Sequence, residues 1–311
     1  MKNMTRRHML KYGAVGAAAF LTIPVQTISN ISSARPSVAV AKNGSPEQLV
    51  NTVFELLGGI ERYVSPGQSV LIKPNIGWDR VPEQAANTNP DVVAQVVRLC
   101  RDAGASVIRV LDRTCNHPQR CYKQSQIESS AKAAGAQVRH LLDDRFHLVR
   151  IPQGKVLKEW TFYCDALEFD VFINIPVAKT HSVSGLTLGM KNLMGIIGGD
   201  RGLIHTQFEH KIVDLNTVIR PTLTLIDGYR ILIANGPSGG SIADVKLTKT
   251  LIASADIVAA DAVAAELLFD VKAQDLLYLR NAFDRGLGQM FSDQMMIKNQ
   301  DLANGHDDTK S

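Results

Sequence analysis

Ser69-Val70-Leu71-Ile72-Lys73-Pro74-Asn75 is a short apolar run that stops abruptly on a lysine, and Val107-Ile108-Arg109-Val110-Leu111-Asp112 repeats the pattern further along. Between them, Val92, Val93, Val96, Val97 and Cys100 recur at helical spacing, and Gly104 stops that helix just before the second run. Strand, amphipathic helix and strand in that order are the rhythm of a parallel sheet with helices on its faces. The same alternation extends in both directions. Upstream, residues 37–41 read as a strand and 46–57 as a helix. Downstream, a helix over 125–134 ends at Gly135, residues 170–175, 222–227 and 247–253 read as strands, and 257–269 as a helix. Residues 146–163, with Gly154 between two alternating runs, predict an antiparallel hairpin insertion. The expected fold class is therefore α/β, a mainly parallel sheet flanked by helices with a β-hairpin insertion. It is expected as one unit over residues 35–298, with a sub-boundary near 165 as the alternative, and the polar tail 299–311 is expected to be disordered.

The N-terminus has a different character. Arg6-Arg7-His8-Met9-Leu10-Lys11 precedes an uncharged, Ala/Gly-rich stretch, and no acid occurs before Glu47. A basic head, a mild apolar core and small residues at Ser32-Ser33-Ala34 predict a twin-arginine signal peptide over 1–34, cleaved after Ala34. The twin-arginine translocase is then a partner, and the mature chain is expected in the periplasm or otherwise exported. The apolar core is too short to span a membrane, which takes about 20 residues. No stable span is expected after cleavage.

The leader holds four of the 34 basic residues and no acid, so the mature remainder balances at 30 against 30. A near-neutral chain without a basic stripe offers no electrostatic footprint for nucleic acid.

In open parallel sheets ligands sit beyond the carboxyl ends of the strands. Here those ends carry Lys73 and Asn75, Asp112-Arg113-Thr114-Cys115, Asn174 leading into Lys179 and His181, and Asp227-Gly228. Lysines at two strand ends are costly to desolvate without an anionic partner, which suggests one site for a small anionic ligand or substrate. Lys179, His181, Lys73 and Asp227 are the candidate catalytic residues, the first two as acid/base groups. An ordinary hydrogen-bonded loop histidine is the alternative for His181. The glycine-rich segment after Lys191 can expose backbone N–H groups as an anion cradle. Asn75, Asn174, Lys191, Asn192, Gly195, Gly198 and Gly199 are the candidate ligand-binding or cofactor-binding residues. It matches neither a phosphate-binding loop nor a dinucleotide fingerprint. Asp256 reads first as a helix N-cap.

Four cysteines are few for a disulfide scaffold. Cys100 belongs to the apolar stripe. Cys115 and Cys121 share a polar loop, and three readings stay open for them: a disulfide, simple thiols, or ligands, with Cys164, of an iron-sulfur cluster or another metal. His205 and His210 are five apart, which separates them by about 140° on a helix and argues against a zinc-hydrolase pair.

Leu71-Ile72-Lys73-Pro74-Asn75, then Asn174-Ile175-Pro176 with Lys179 and His181, then Gly189-Met190-Lys191-Asn192-Leu193-Met194-Gly195, then Asn235-Gly236-Pro237 and Ala255-Asp256 with Asp261 occur in one order. As a set they resemble the family of domain of unknown function 362, over residues 37–290. The resemblance implies no single reaction. Many relatives carry ferredoxin-type cysteine modules, which implies an association with redox chemistry. This sequence departs there, since it has no pair of cysteines separated by two residues.

Three functions are compatible with these observations. The first is an exported redox-associated iron-sulfur or metal protein acting on an anionic small molecule, a possible oxidoreductase. The second is a non-redox enzyme on an anionic metabolite using Lys179 and His181. The third is a periplasmic ligand-binding protein without turnover.

Overall fold

A computed structural model describes residues 35–303. The expected twin-arginine signal, with its expected cleavage point, and the last eight residues lie outside the described residues.

The chain opens with β1 (Ser37–Lys42) and α1 (Pro46–Leu56). Ser45 and Gln48 cap α1 reciprocally, each side chain bonding the other's backbone N–H. Next come β2 (Ser69–Pro74), α2 (Pro90–Asp102) and β3 (Val107–Val110), the unit read first in the sequence. Two short helices, α3 (Pro118–Gln124) and α4 (Ile127–Ala134), lead to β4 (Gln137–Val138). The hairpin β5 (Phe146–Arg150) and β6 (Glu159–Tyr163) follows, then a single turn α5 (Asp165–Glu168) and the strands β7 (Val171–Ile175), β8 (Val177–His181) and β9 (Gly185–Thr187). The remainder is α6 (Gly189–Asn192), α7 (Phe208–Val218), β10 (Leu223–Leu232), β11 (Val245–Ser254), α8 (Ile257–Phe269), α9 (Leu277–Asp284) and β12 (Met296–Asp301).

The main sheet runs β12-β1-β11-β10-β7-β2-β3-β4, with β8 and β9 branching from β10. Pairings from β10 through β7, β2 and β3 to β4 are parallel, whereas β11 is antiparallel to both β10 and β1. The halves on either side of residue 165 share this sheet, because β7 lies between β2 and β10. Alternation along the strands builds two cores. Val70 and Ile72 face one layer while Leu71 faces the other, and Val171, Ile173 and Phe172 divide in the same way. Helix α8 is buried without a break from Val258 to Ala265, and its alanines let it lie close against the sheet. Asp256 caps its first turn through the N–H groups of Val258 and Ala259, as its position in the sequence predicts.

The described start of the tail departs from expectation. Residues 299–301 belong to β12, which pairs in parallel with β1 and extends the sheet by one strand. Asn299 and Gln300 are polar because this is an edge strand, and polarity alone misled the reading of disorder.

The expected hairpin forms a separate two-stranded sheet, and one buried carboxylate anchors its turn to the body. Asp214 of α7 is fully buried. It accepts the N–H groups of Lys155, Val156 and Leu157 in the hairpin turn and pairs with Arg285 at 2.7 Å. Burial alone would raise its pKa, but the three N–H bonds and Arg285 outweigh burial and hold the carboxyl below the ordinary aspartate value. A carboxyl depressed in the folded state stabilises above its unfolded pKa and loses that contribution as pH falls through the folded one. Asp214→Ala should therefore cost about 3–5 kcal/mol by stranding a buried guanidinium. Thermal melts at neutral pH should show a large deficit, and the gap from the unmodified protein should narrow below about pH 4.

Candidate functional site

The parallel strands β2, β3 and β7 all end at one edge of the sheet, and a cavity of about 490 Å³ opens there. Five cationic side chains line it (Lys73, Arg113, Lys179, Lys191, Arg201), against two carboxylates, Asp112 and Asp200. Asp112 is already committed to Lys73.

Alternation makes Lys73 a buried residue. Leu71 and Lys73 point to the same face of β2, and Lys73 sits opposite Asn174 of β7 in the register. Its amine is fully enclosed and meets Asp112 at 2.7 Å and the Pro74 carbonyl at 2.9 Å. The other oxygen of Asp112 accepts the Ile76 N–H. Burial pushes the Lys73 amine below the ordinary lysine range, and Asp112 offsets that only in part. Gly195 packs directly over the pair. A Cβ there would fall 1.8 Å from the Asp112 carboxylate and 2.6 Å from the lysine amine, so only glycine lets the loop approach.

A continuous row of side-chain amides crosses the floor. Lys179 donates to Asn75 Oδ1 at 3.1 Å, Asn75 to Asn192 Oδ1 at 3.0 Å, Asn192 to Asn174 Oδ1 at 2.8 Å, and Asn174 to the Gly189 carbonyl at 3.0 Å. Every amide in the row donates in the same sense, so the row presents an acceptor to Lys179. At the far end, Asp261 of α8 accepts the N–H groups of Gly189 and Met190 and fixes the short helix α6 that carries Lys191 and Asn192. Burial raises the Asp261 carboxyl to about 7 despite those two bonds.

The Lys179 amine is also enclosed, with a second acceptor in the Ala86 carbonyl at 2.6 Å. Burial, reinforced by the charges of Lys191 and Lys73 and opposed by Cys115 and Asp112, lowers its pKa to about 7. Lys191 lies 3.3 Å from His205 Nε2 and over the Phe208 ring, and burial lowers it to about 8. His181 stacks on His205 with ring centroids 5.5 Å apart. The Nδ1 of His181 accepts the N–H groups of Val183 and Ser184, which leaves the ring proton on Nε2. Burial and the neighbouring cations lower its pKa to about 3, so the ring is neutral at physiological pH.

Residues 70–266 match the family described as domain of unknown function (DUF362). The chain belongs to that family. It is 28% identical, over 72% of its length and 70% of the other, to a thylakoid-associated protein of Synechocystis. Two solved structures are similar in outline. One is a Thermotoga maritima protein, 14% identical with a TM-score of 0.48, covering 73% of this chain and 60% of that one. The other is the lactate racemase apoprotein of Thermoanaerobacterium thermosaccharolyticum, 12% identical with a TM-score of 0.44, covering 68% and 53%. The chain spans less than two thirds of either structure's length.

In this DUF362 chain the cavity gathers Lys73, Asn75, Lys179, His181, Lys191 and Asn192, with Gly195 and Gly199 beside them. Asn174 lies behind Asn192, and Gly198 packs against Thr161 of the hairpin. Asp227 is not among the cavity residues. It is buried within β10, where its carboxylate accepts the Asn89 and Tyr229 N–H groups and so positions the start of α2. Its apparent place at a strand end reflected a β10 that continues to Leu232.

The cysteines do not converge on a cluster. All four are free thiols. Cys115 opens on the cavity, Cys121 is buried in the core on one face of the sheet, and Cys164 is buried where β6 meets α5. Helical packing turned Cys121 inward. Among the described residues, the group whose metal-ligating atoms lie within 4.8 Å of one another is Cys164, Asp165 and Glu168. Arg145 pairs with both of those carboxylates, and Arg109 also pairs with Asp165. A metal there would have to displace guanidinium groups.

His205, Arg113 and Arg201 also line the cavity. Arg201 donates to the Arg113 and Thr114 carbonyls, which locks the loop after β3 to the glycine segment. The only signal for Arg113 was its place at a strand end.

The charge of the cavity should follow its lysines. Sulfate, whose own charge is fixed in this range, should bind more tightly as pH falls from about 9 to about 6, first as Lys191 and then as Lys179 takes up a proton. Calorimetric titration across that range checks this, and Lys179→Met should flatten the lower step. Gly195→Ala should weaken sulfate binding at every pH by displacing the Lys73–Asp112 pair.

Proposed function

We propose that this protein is a non-redox enzyme that binds a small anionic metabolite in the cationic cavity and moves a proton on it through Lys179 and His181. The observation that carries the reading is the buried Lys179 amine, tuned to about 7 among further cations at the carboxyl edge of the sheet. A carboxylate or phosphate would supply the negative charge that the lysines and arginines lack within the protein. At neutral pH a good share of Lys179 is then the free base, able to accept a proton, and His181 Nε2–H is a neutral donor. Neutral imidazole as donor suits a site that already holds several positive charges.

The redox reading asks for converging sulfur ligands, and Cys115 is the one thiol that the cavity holds. Iron and acid-labile sulfide counts on anaerobically purified protein address it directly. The export reading rests on Arg6-Arg7 and the apolar stretch after them, and it assigns the activity to the far side of the cytoplasmic membrane after passage through the twin-arginine translocase. Among the described residues no helix is long and apolar enough to cross a membrane.

The test is proton exchange. Small hydroxy acids, oxo acids and phosphate esters are incubated with the protein in deuterium oxide, and their carbon-bound protons are followed by NMR. The protein should catalyse exchange into at least one of them, faster as pH rises through about 7, where Lys179 becomes neutral. Lys179→Met should slow it by about 10²–10⁴-fold. His181→Asn, whose amide oxygen keeps the bonds made by Nδ1, should slow it without weakening sulfate binding. Sulfate binding with no exchange into any compound would favour a binding protein without turnover.

A further inference from the structure

Lys179 carries more chemical information than a general base needs. Its amine is held by two neutral acceptors, Asn75 Oδ1 and the Ala86 carbonyl, and no carboxylate bonds it. A neutral amine has two hydrogens and one lone pair. Those acceptors use both hydrogens, so the lone pair is left over on a side chain that lines the cavity. Asn75 cannot turn to offer its NH₂ group instead, because that group is engaged by Asn192, itself locked to Asn174. The environment thus orients the free amine rather than solvating the ammonium ion. Cations close by, Lys191 and Lys73, add to that bias. Burial together with a second cationic group is the arrangement that makes a lysine nucleophilic towards carbonyl compounds.

We propose that Lys179 condenses with the carbonyl group of a small anionic aldehyde, ketone or 2-oxo acid to form an imine, while the cavity's other cations hold the carboxylate or phosphate of that substrate. This deepens the anion-site reading above and rests on it. The Nζ lone pair forms a bond to the carbonyl carbon as the C=O π pair moves to oxygen. One proton passes from nitrogen to that oxygen, giving a carbinolamine. The carbinolamine hydroxyl takes up one further proton and leaves as water while the nitrogen lone pair completes the C=N bond. Amine, carbonyl compound and one proton thus become an iminium ion and water, and nothing is oxidised or reduced. His181 Nε2–H and the Lys191 ammonium are the neighbouring donors for the departing hydroxyl. The remaining iminium N–H keeps one of the two acceptors that the amine used. The positive nitrogen draws electrons from the adjacent carbon and makes its hydrogens acidic, which is where proton exchange would then occur.

The experiment is reductive trapping. The full chain is incubated with pyruvate or, separately, with dihydroxyacetone phosphate, sodium borohydride is added, and peptides are mapped by mass spectrometry. The expected result is one saturable reduced adduct on the peptide holding Lys179, suppressed by excess sulfate. Trapping of pyruvate alone identifies a carboxylate substrate class, and of dihydroxyacetone phosphate alone a phosphate one. The adduct should vanish in Lys179→Arg, which keeps a cation at the site and whose folding is verified by its melting temperature. It should persist in Lys132→Ala, on the outer surface of α4. Adducts scattered over surface lysines and indifferent to sulfate, or no adduct at Lys179 with either compound, would overturn the proposal. If sulfate still raises the melting temperature in that case, the anion site stands and the nucleophile falls. If sulfate has no effect either, both fall together.

Discussion

Three lysine amines, Lys73, Lys179 and Lys191, are buried at one edge of a β-sheet, and only Lys73 has a carboxylate for a partner. Removing an ammonium ion from water is expensive, and gathering several in a medium of low dielectric adds mutual repulsion. The surroundings answer in three ways. Asp112 neutralises one charge directly. The amide row from Asn75 to Asn174 supplies oriented dipoles to a second, and the stacked His205 and the face of Phe208 accept the third. The deficit of negative charge that remains is what an anionic ligand would fill. Much of the local architecture, from Gly195 pressed against the ion pair to Asp261 beneath α6, serves to hold this arrangement in place.

The sheet makes that concentration possible. Parallel strands bring their carboxyl ends to one edge, and the register between β2 and β7 sets Lys73 against Asn174. The chain shifts at Pro176, between β7 and β8, so that β8 runs beside the distal part of β10 and carries Lys179 and His181 over the same edge. Helix α8 supports the site from beneath with a nearly continuous buried surface, and its one internal carboxylate is spent on the backbone of α6. The hairpin β5–β6 reaches the glycine segment, where Thr161 packs against Gly198 next to the cavity residue Gly199. Its attachment through Asp214 and Arg285 therefore bears on the site as well as on stability.

Residues that belong to regular strands, or directly follow them, were legible. Lys73, Asn75, Asn174, Lys179 and His181 could be grouped because strand ends meet in a parallel sheet whatever the loops do. Asp227 was misjudged by the same rule, since β10 does not end where its apolar run does. The directions of His205 and Arg201 are not legible in the sequence, because both lie on a short 3-10 segment, where no periodicity says which way a side chain points. Cys115 and Cys121 are neighbours in the sequence, yet Cys115, ahead of α3, opens on the cavity while Cys121, in the first turn of α3, is buried in the core. Polarity suggests disorder for residues 299–301, whereas an edge strand needs little apolar surface to pair.

By itself the sequence determined the layered α/β architecture, the helix cap at Asp256, the hairpin and the family, all of which rest on local spacing and on the order of elements. Those signals survive in one dimension because each depends on residues a few positions apart. Tertiary structure alone decided that Lys73 meets Asp112, that three asparagines, one just after β2 and one each from β7 and α6, form one row ending on Lys179, and that His205 stacks on His181. It also separated Cys115, Cys121 and Cys164, the candidate ligands of one metal. Each of these depends on the distance and direction between residues far apart in the chain, and the low dielectric that tunes the lysines exists only once the layers close around them.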